Sequence, residues 1–84
     1  MHQIIVAVKD RQLDAFMRPF VAQTRGQAIR SFRDEINRQD SELNQHPEDY
    51  ELYELAHYDD HSGKILPHEA PQQLALASNL IERK

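Results

Sequence analysis

The stretch Ala22-Gln-Thr-Arg-Gly-Gln-Ala-Ile-Arg-Ser-Phe32 is the most informative part of the sequence, because it marks the start of a helix and defines both of its sides. Thr24 and Gln27 have the spacing of a capping box, in which two side chains satisfy free backbone N–H groups at a helix start. The residues that recur at the helical period and form one apolar stripe are Ala28, Ile29, Phe32 and Ile36. The pattern predicts an amphipathic helix over about residues 25–38.

The other side of this helix is polar and rich in arginine. It carries Arg30, Arg33, Asp34 and Asn37, and Arg25 stands at the helix entrance. Free N–H groups at a helix start, with arginines beside them, form a favourable binding site for a phosphate group. In the alternative interpretation, Asp34 pairs with Arg30 and Arg38 four residues away, and the helix presents a salt-bridged solvent face.

The remaining chain alternates between strand patterns and turn signals. An apolar, β-branched segment at Gln3–Lys9 suits a strand covered on both faces, and Asp10–Asp14 is a loop. Weak alternation over Ala15–Gln23 predicts a second strand that is at an edge or bulged, because Pro19 cannot donate a hydrogen bond. The later predicted elements are a strand at Tyr50–Tyr58, a hairpin turn at Asp59–Gly63, a short strand at Lys64–Leu66 ended by Pro67, and a helix at Gln72–Glu82.

The order ββαββα predicts an α+β fold, with residues 1–84 as a single domain. We expect a mainly antiparallel four-stranded sheet and two helices. The C-terminal helix and tail over residues 69–84 are apolar enough to pack on the sheet or against a second copy of the chain. Because a domain of 84 residues is only marginally stable, a homodimer that buries more apolar surface is expected.

Composition excludes several classes of protein. The net charge is −4, and its distribution is uneven: residues 1–38 carry seven basic and four acidic residues, whereas residues 39–84 carry three basic and ten acidic ones. There is no cysteine, which excludes disulfides and thiolate metal sites. No apolar run approaches the roughly 20 residues that span a bilayer, so no membrane partner is expected. The start Met1–Val6 does not have the pattern of a signal peptide, so an intracellular location is expected.

No motif of catalysis is present, and we expect neither an enzyme nor a cofactor. Five histidines raise the question of a metal site, and His57 and His61 are four residues apart. That spacing brings two ligands together only on a helix, whereas here a predicted strand runs into a turn, so no metal site is expected. The acidic residues that could be imagined as a nuclease site are better explained as the solvated face and turn of a hairpin: Glu48, Asp49, Glu51, Glu54, Asp59 and Asp60.

Two interpretations of function follow from these residues. In the first, the protein binds nucleic acid: Arg25, Arg30 and Arg33 contact phosphates. Arg18 and Lys9 extend the track, and Tyr53 stacks on a base. In the second, the protein is a non-enzymatic adaptor whose acidic hairpin, with Glu51, Glu54, Asp59 and Asp60, contacts another protein.

Two blocks of the sequence add a family resemblance. Residues 18–32 contain Pro-Phe-Val-Ala-Gln-Thr-Arg-Gly-Gln-Ala-Ile-Arg-Ser-Phe, and residues 46–55 read His-Pro-Glu-Asp-Tyr-Glu-Leu-Tyr-Glu-Leu, followed by Tyr58-Asp-Asp60. Over about residues 3–66 the chain resembles the small non-structural protein of gokushovirus-type microviruses, bacteriophages with circular single-stranded DNA. The resemblance implies binding of single-stranded DNA and regulation of viral DNA replication at the shift to single-stranded genome synthesis for packaging. It also implies a place in the cytoplasm of the infected bacterial host. The acidic balance adds viral replication or capsid proteins as expected partners.

Overall fold

The apolar segment near the start of the chain forms the strand around which the sheet is built. The computed structural model describes residues 2–82, and strand β1 spans His2–Asp10. On one side β1 pairs with two short strands, β2 (Ala15–Phe16) and β3 (Phe20–Ala22), and on its other side with β4 (Tyr50–Asp59). Strand β5 (Lys64–Leu76) pairs with β4 and forms the far edge. All pairings are antiparallel, so the α+β class and the antiparallel sheet are confirmed, with five strands rather than four.

Three helices complete the described part of the chain. They are α1 (Arg25–Ile36), α2 (Glu42–Gln45) and α3 (Ala77–Leu80), and a 3₁₀ turn at Pro47–Asp49 leads into β4. The core lies between α1, α3 and one face of the sheet, and its larger members are Ile4, Val6, Phe32, Ile36, Leu43, Tyr50 and Leu52. None of the helices within residues 2–82 is long and apolar enough to cross a membrane.

The predicted cap of α1 is present, with one difference. The Thr24 hydroxyl accepts a hydrogen bond from the Gln27 N–H at 3.0 Å, and the Gln27 side chain accepts one from the Gln23 N–H at 2.6 Å. Gln27 therefore reaches one residue further back than in a standard capping box. The apolar stripe of α1 is buried at Ala28, Phe32 and Ile36 and half-buried at Ile29, and the helix ends at Ile36, two residues earlier than expected.

The predicted second strand is in fact two strands. A break at residues 17–19 separates β2 from β3, and both pair with β1. Pro19 has no N–H to donate, so the chain leaves the ladder there and rejoins it at Phe20. The proline predicts an irregular edge strand, and in the structure this irregularity is the break between β2 and β3.

The prediction for the C-terminal part of the chain is wrong in two respects. Strand β5 does not stop at Pro67 but continues through Pro71 to Leu76, and only Ala77–Leu80 is helical where residues 72–82 were expected to be. Because β5 is an edge strand, a proline without an N–H can face solvent there, and register shifts in the ladder with β4 accommodate the four residues 68–71. Ala77 is buried and Leu80 packs against the core of the same chain, and residues 83–84 of the predicted tail lie outside the described residues.

Candidate functional site

The sheet has two different faces, and the predicted site residues are divided between them. Ile4 and Val6 of β1 belong to the core beneath α1, so this side is called the helix face. Side chains alternate along a strand, so Lys9 of β1 and Tyr53 of β4 lie on the opposite side, called the outer face. Arg25, Arg30 and Arg33 are on α1, across the sheet from Lys9 and Tyr53.

On the outer face, a small cluster joins two aromatic rings and one lysine. The rings of Phe16 and Tyr53 meet edge to face with centroids 5.6 Å apart, and the Lys9 Nζ lies 5.7 Å from the centre of the Phe16 ring. Lys9 also forms an ion pair with Asp14 at 3.4 Å. The Tyr53 hydroxyl donates a hydrogen bond to Glu51 at 2.8 Å, which together with burial raises the pKa of that phenol. The sequence analysis selected Lys9 and Tyr53, and the structure adds the exposed Phe16 beside them.

Two arginines of α1 are free of carboxylates within the described chain. Arg30 and Arg33 are exposed and three residues apart, so they stand one helical turn from each other. No carboxylate of residues 2–82 lies within 4.0 Å of either guanidinium. The alternative pairing of Asp34 with Arg30 and Arg38 is absent from this region, and Arg38 instead binds Glu35 at 3.1 Å and Asp40 at 2.8 Å. The structure thus removes the salt-bridge interpretation for Arg30.

Arg18 is also exposed, in the connection between β2 and β3. It likewise has no carboxylate of residues 2–82 within ion-pair distance. Since β2 and β3 form the edge of the sheet beside β1, Arg18 stands at the border between the helix face and the outer face.

Arg25, by contrast, is committed to a partner inside the molecule. Its Nε donates a hydrogen bond to Glu54 Oε1 at 2.8 Å, and its Nη2 lies 3.5 Å from Oε2. The hydrogen bond to Glu54 raises the pKa of Arg25 above its ordinary value. More than half of the Arg25 side chain is still exposed, so a role in phosphate binding stays a prediction.

Glu54 is a completely buried carboxylate at the edge of the core. It follows Leu52 on the helix face of β4, and its second oxygen, Oε2, lies 2.6 Å from His68 Nε2. The Arg25 hydrogen bond lowers the pKa of Glu54, and burial opposes that shift. The expectation that Glu54 lies on a solvated acidic surface is therefore wrong. Its partners are on α1 and β5, so no local sequence pattern could have identified them.

Two histidines stand beside this carboxylate. The rings of His57 and His68 meet edge to face with centroids 4.8 Å apart. Glu54, His57 and His68 each offer one donor atom, and these atoms all lie within 4.8 Å of one another. The sequence analysis considered His57 with His61 and expected no metal site from that spacing. The pairing of β4 with β5 places Leu66 opposite His57, and His68, two residues further on, shares its face.

Asp59 and Asp60, in the turn of the hairpin, accept hydrogen bonds from the turn itself and from β1. The Asp59 carboxylate accepts hydrogen bonds from the His61 N–H and the Ser62 hydroxyl, both at 3.0 Å, and these bonds lower its pKa. Asp60 accepts a hydrogen bond from the Gln3 side chain at 2.9 Å. An ionised carboxylate keeps its charge when it accepts such hydrogen bonds, so these contacts leave the acidic-surface alternative open.

Comparison with known proteins gives one match. A family model described as Phage ORF5 protein matches residues 3–80. No curated protein and no solved structure shows significant similarity to the chain.

Proposed function

We propose, because the chain belongs to the Phage ORF5 protein family, that this phage protein binds single-stranded DNA weakly and regulates replication of the viral genome. The observation that carries the DNA-binding proposal is the pair Arg30 and Arg33. They are exposed one turn apart and free of carboxylates within residues 2–82, in a chain whose net charge is −4. The regulatory role, and a place in the cytoplasm of the infected bacterium, rest on the resemblance to the gokushovirus non-structural protein.

The chemistry of the arginine pair suits a phosphate backbone. A guanidinium carries its charge at every physiological pH and forks onto two phosphate oxygens. Two neighbouring arginines can contact successive phosphates without reading any base, so binding is independent of sequence. With so few contacts the affinity is modest and falls steeply with salt.

The outer face supplies a second element of the same proposal. Phe16 and Tyr53 offer ring surface for base stacking, and Lys9 lies beside them. A single DNA strand that crosses the edge of the sheet at Arg18 would pass from α1 to these rings. Arg30 and Arg33 would then hold the backbone while the outer face receives the bases.

Fluorescence anisotropy of a labelled oligothymidylate, titrated over a range of sodium chloride concentrations, tests the proposal. Arg30→Gln together with Arg33→Gln should weaken binding and reduce the log–log salt slope by about 1.4, because each phosphate contact on a single strand contributes about 0.7. The matched control is Arg11→Gln with Arg38→Gln, which removes the same charge from arginines that lie near carboxylates.

The control should retain most of the wild-type affinity. An equal loss in both double variants would mean that net charge alone, and not the arginine pair, determines binding. No binding by the wild-type chain at low salt would refute the proposal and favour the protein-adaptor alternative.

A further inference from the structure

We propose that Glu54, His57 and His68 form a binding site for a divalent transition-metal ion, with zinc as the ion that suits the donor set best. The three side chains come from two adjacent strands, β4 and β5, and meet on the helix face near the start of α1. The proposal is independent of DNA binding, because it rests on a different cluster of residues.

The donor set is that of known metal sites. Two imidazole nitrogens and one carboxylate oxygen are ligands that zinc accepts in three-residue sites, with a water molecule in the fourth position. Zinc binds such atoms at about 2.0–2.2 Å, which places neighbouring ligand atoms of a tetrahedron about 3.3 Å apart. The three donor atoms already lie within 4.8 Å of one another. The exposed His57 ring can close the remaining distance by rotation about its own side-chain bonds.

Glu54 is already oriented as a ligand. Arg25 holds Oε1 at 2.8 Å, so the carboxylate is fixed from behind while Oε2 faces His68 at 2.6 Å. A metal ion between Oε2 and the His68 ring would take the place of the hydrogen that now joins them. Arg25 then acts as the outer-shell partner that orients a ligating carboxylate.

The position of His57 distinguishes this cluster from a simple buried ion pair. Glu54 needs only Arg25 and His68 to satisfy its two oxygens. His57 contributes nothing to that pairing, yet its ring lies against His68 with its donor atom in reach of the same point. Because His57 is exposed, an ion has a path from solvent to the buried carboxylate.

Calorimetric titration of the full chain with zinc chloride, in a buffer that does not bind metals, tests the proposal. We expect one ion per chain and a loss of affinity of at least about tenfold in His57→Ala, since removal of outer-shell partners alone typically costs 10–100-fold. His57 is exposed, so this variant should fold, and circular dichroism checks that it does.

The matched controls are His61→Ala, an exposed histidine of the neighbouring turn, and His46→Ala. The second removes the imidazole from the separate group formed by His46, Glu48 and Asp49. Both controls should bind zinc as the wild type does. Absence of binding, one ion per two chains, or a loss that follows His46 or His61 instead of His57 would overturn the proposal.

Discussion

At the scale of single residues, Glu54 shows how a buried charge is made tolerable. An ionised carboxylate without partners in an apolar interior would lose its solvation and be strongly unfavourable. Here Arg25 and His68 each bind one of its oxygens, and Arg25 keeps contact with water through its exposed part. The carboxylate therefore joins α1 to β4 and β5 at one point.

Replacement of that carboxylate should be costly. Glu54→Gln keeps the shape of the side chain but removes the charge that both partners bind, so we expect a loss of about 1.5–3 kcal/mol in the free energy of unfolding. Urea denaturation measures it. Glu48→Gln, a change of the same kind at an exposed position, should leave the midpoint nearly unchanged. Equal midpoints for both variants would mean that the buried pair contributes no net stability.

Tyr50 should make the free energy of unfolding fall as the pH becomes alkaline. Its phenol is buried near Asp10, Glu42 and Asp49, and burial first, then these charges, raise its pKa above 10.0. A raised folded-state pKa means that the stabilisation is fully present below the unfolded value of about 10 and is lost as pH rises through the folded value.

Tyr50→Phe should therefore lose less unfolding free energy than the wild type between about pH 9 and pH 11. Thermal unfolding monitored by circular dichroism over this pH range compares the variant with the wild type. A steeper alkaline loss in Tyr50→Phe than in the wild type would contradict the sign of the argument.

At the scale of elements, the two glycines of the chain have opposite roles. Gly63 ends the β4–β5 turn with a φ of 77°, in the left-handed region, and a Cβ there would meet no atom within 4 Å. Gly63→Ala should thus destabilise by about 1–2 kcal/mol through backbone strain alone. In Gly26, within α1, a Cβ would lie 3.8 Å from the Thr24 hydroxyl, an ordinary contact.

Gly26→Ala should consequently stabilise the protein by about 0.5–1 kcal/mol, because alanine restricts the unfolded chain and favours the helix. The two variants add the same methyl group, so paired urea curves isolate the effect of conformation. If both substitutions stabilise the protein, the expected strain at Gly63 is absent, because the backbone there can then leave the left-handed region without cost.

The elements that could be predicted from the sequence are those with a local cause. Strand β1 has its apolar run, α1 has its cap and stripe, and the hairpin turn has Gly63. The region after Pro67 could not be assigned in this way. Leu74 and Leu76 fit a strand as well as a helix, and a proline ends a strand only where an N–H is needed to bond to a neighbouring strand. Whether β5 is an edge strand is a property of the whole sheet.

The candidate sites divide in the same way. Arg30 and Arg33 could be found from helical periodicity, because one element places both of them. The cluster of Glu54, His57 and His68 depends on the register of β4 against β5 and on the extra residues 68–71, which no spacing in the sequence reports.

At the scale of the whole molecule, the sheet is covered unequally. Helices α1 and α3 pack over the core part of the helix face, and the buried core cluster of residues 2–82 takes no side chain from the outer face. That face includes Val21 and Ile65, which are placed there by their pairing with Ile5 and Tyr58 and are each half-exposed. An 84-residue chain gains stability if this apolar end of the outer face is buried, and we expect a second copy of the chain to bury it. Phe16 and Tyr53 pair with Lys9 and Ala7 towards the other end of β1, so this contact leaves their rings open for base stacking.

The dimer prediction can be tested with two neighbouring residues of β5. Ile65 and Leu66 are both 54% exposed, but successive side chains of a strand point to opposite faces, so only Ile65 belongs to the outer face. Ile65→Lys should place a charge in the contact and shift the sedimentation coefficient towards that of a monomer. Leu66→Lys introduces the same charge at the same exposure and should leave the oligomeric state unchanged. A wild type that sediments as a monomer at all concentrations would contradict the dimer prediction, because Val21 and Ile65 would then stay exposed to solvent.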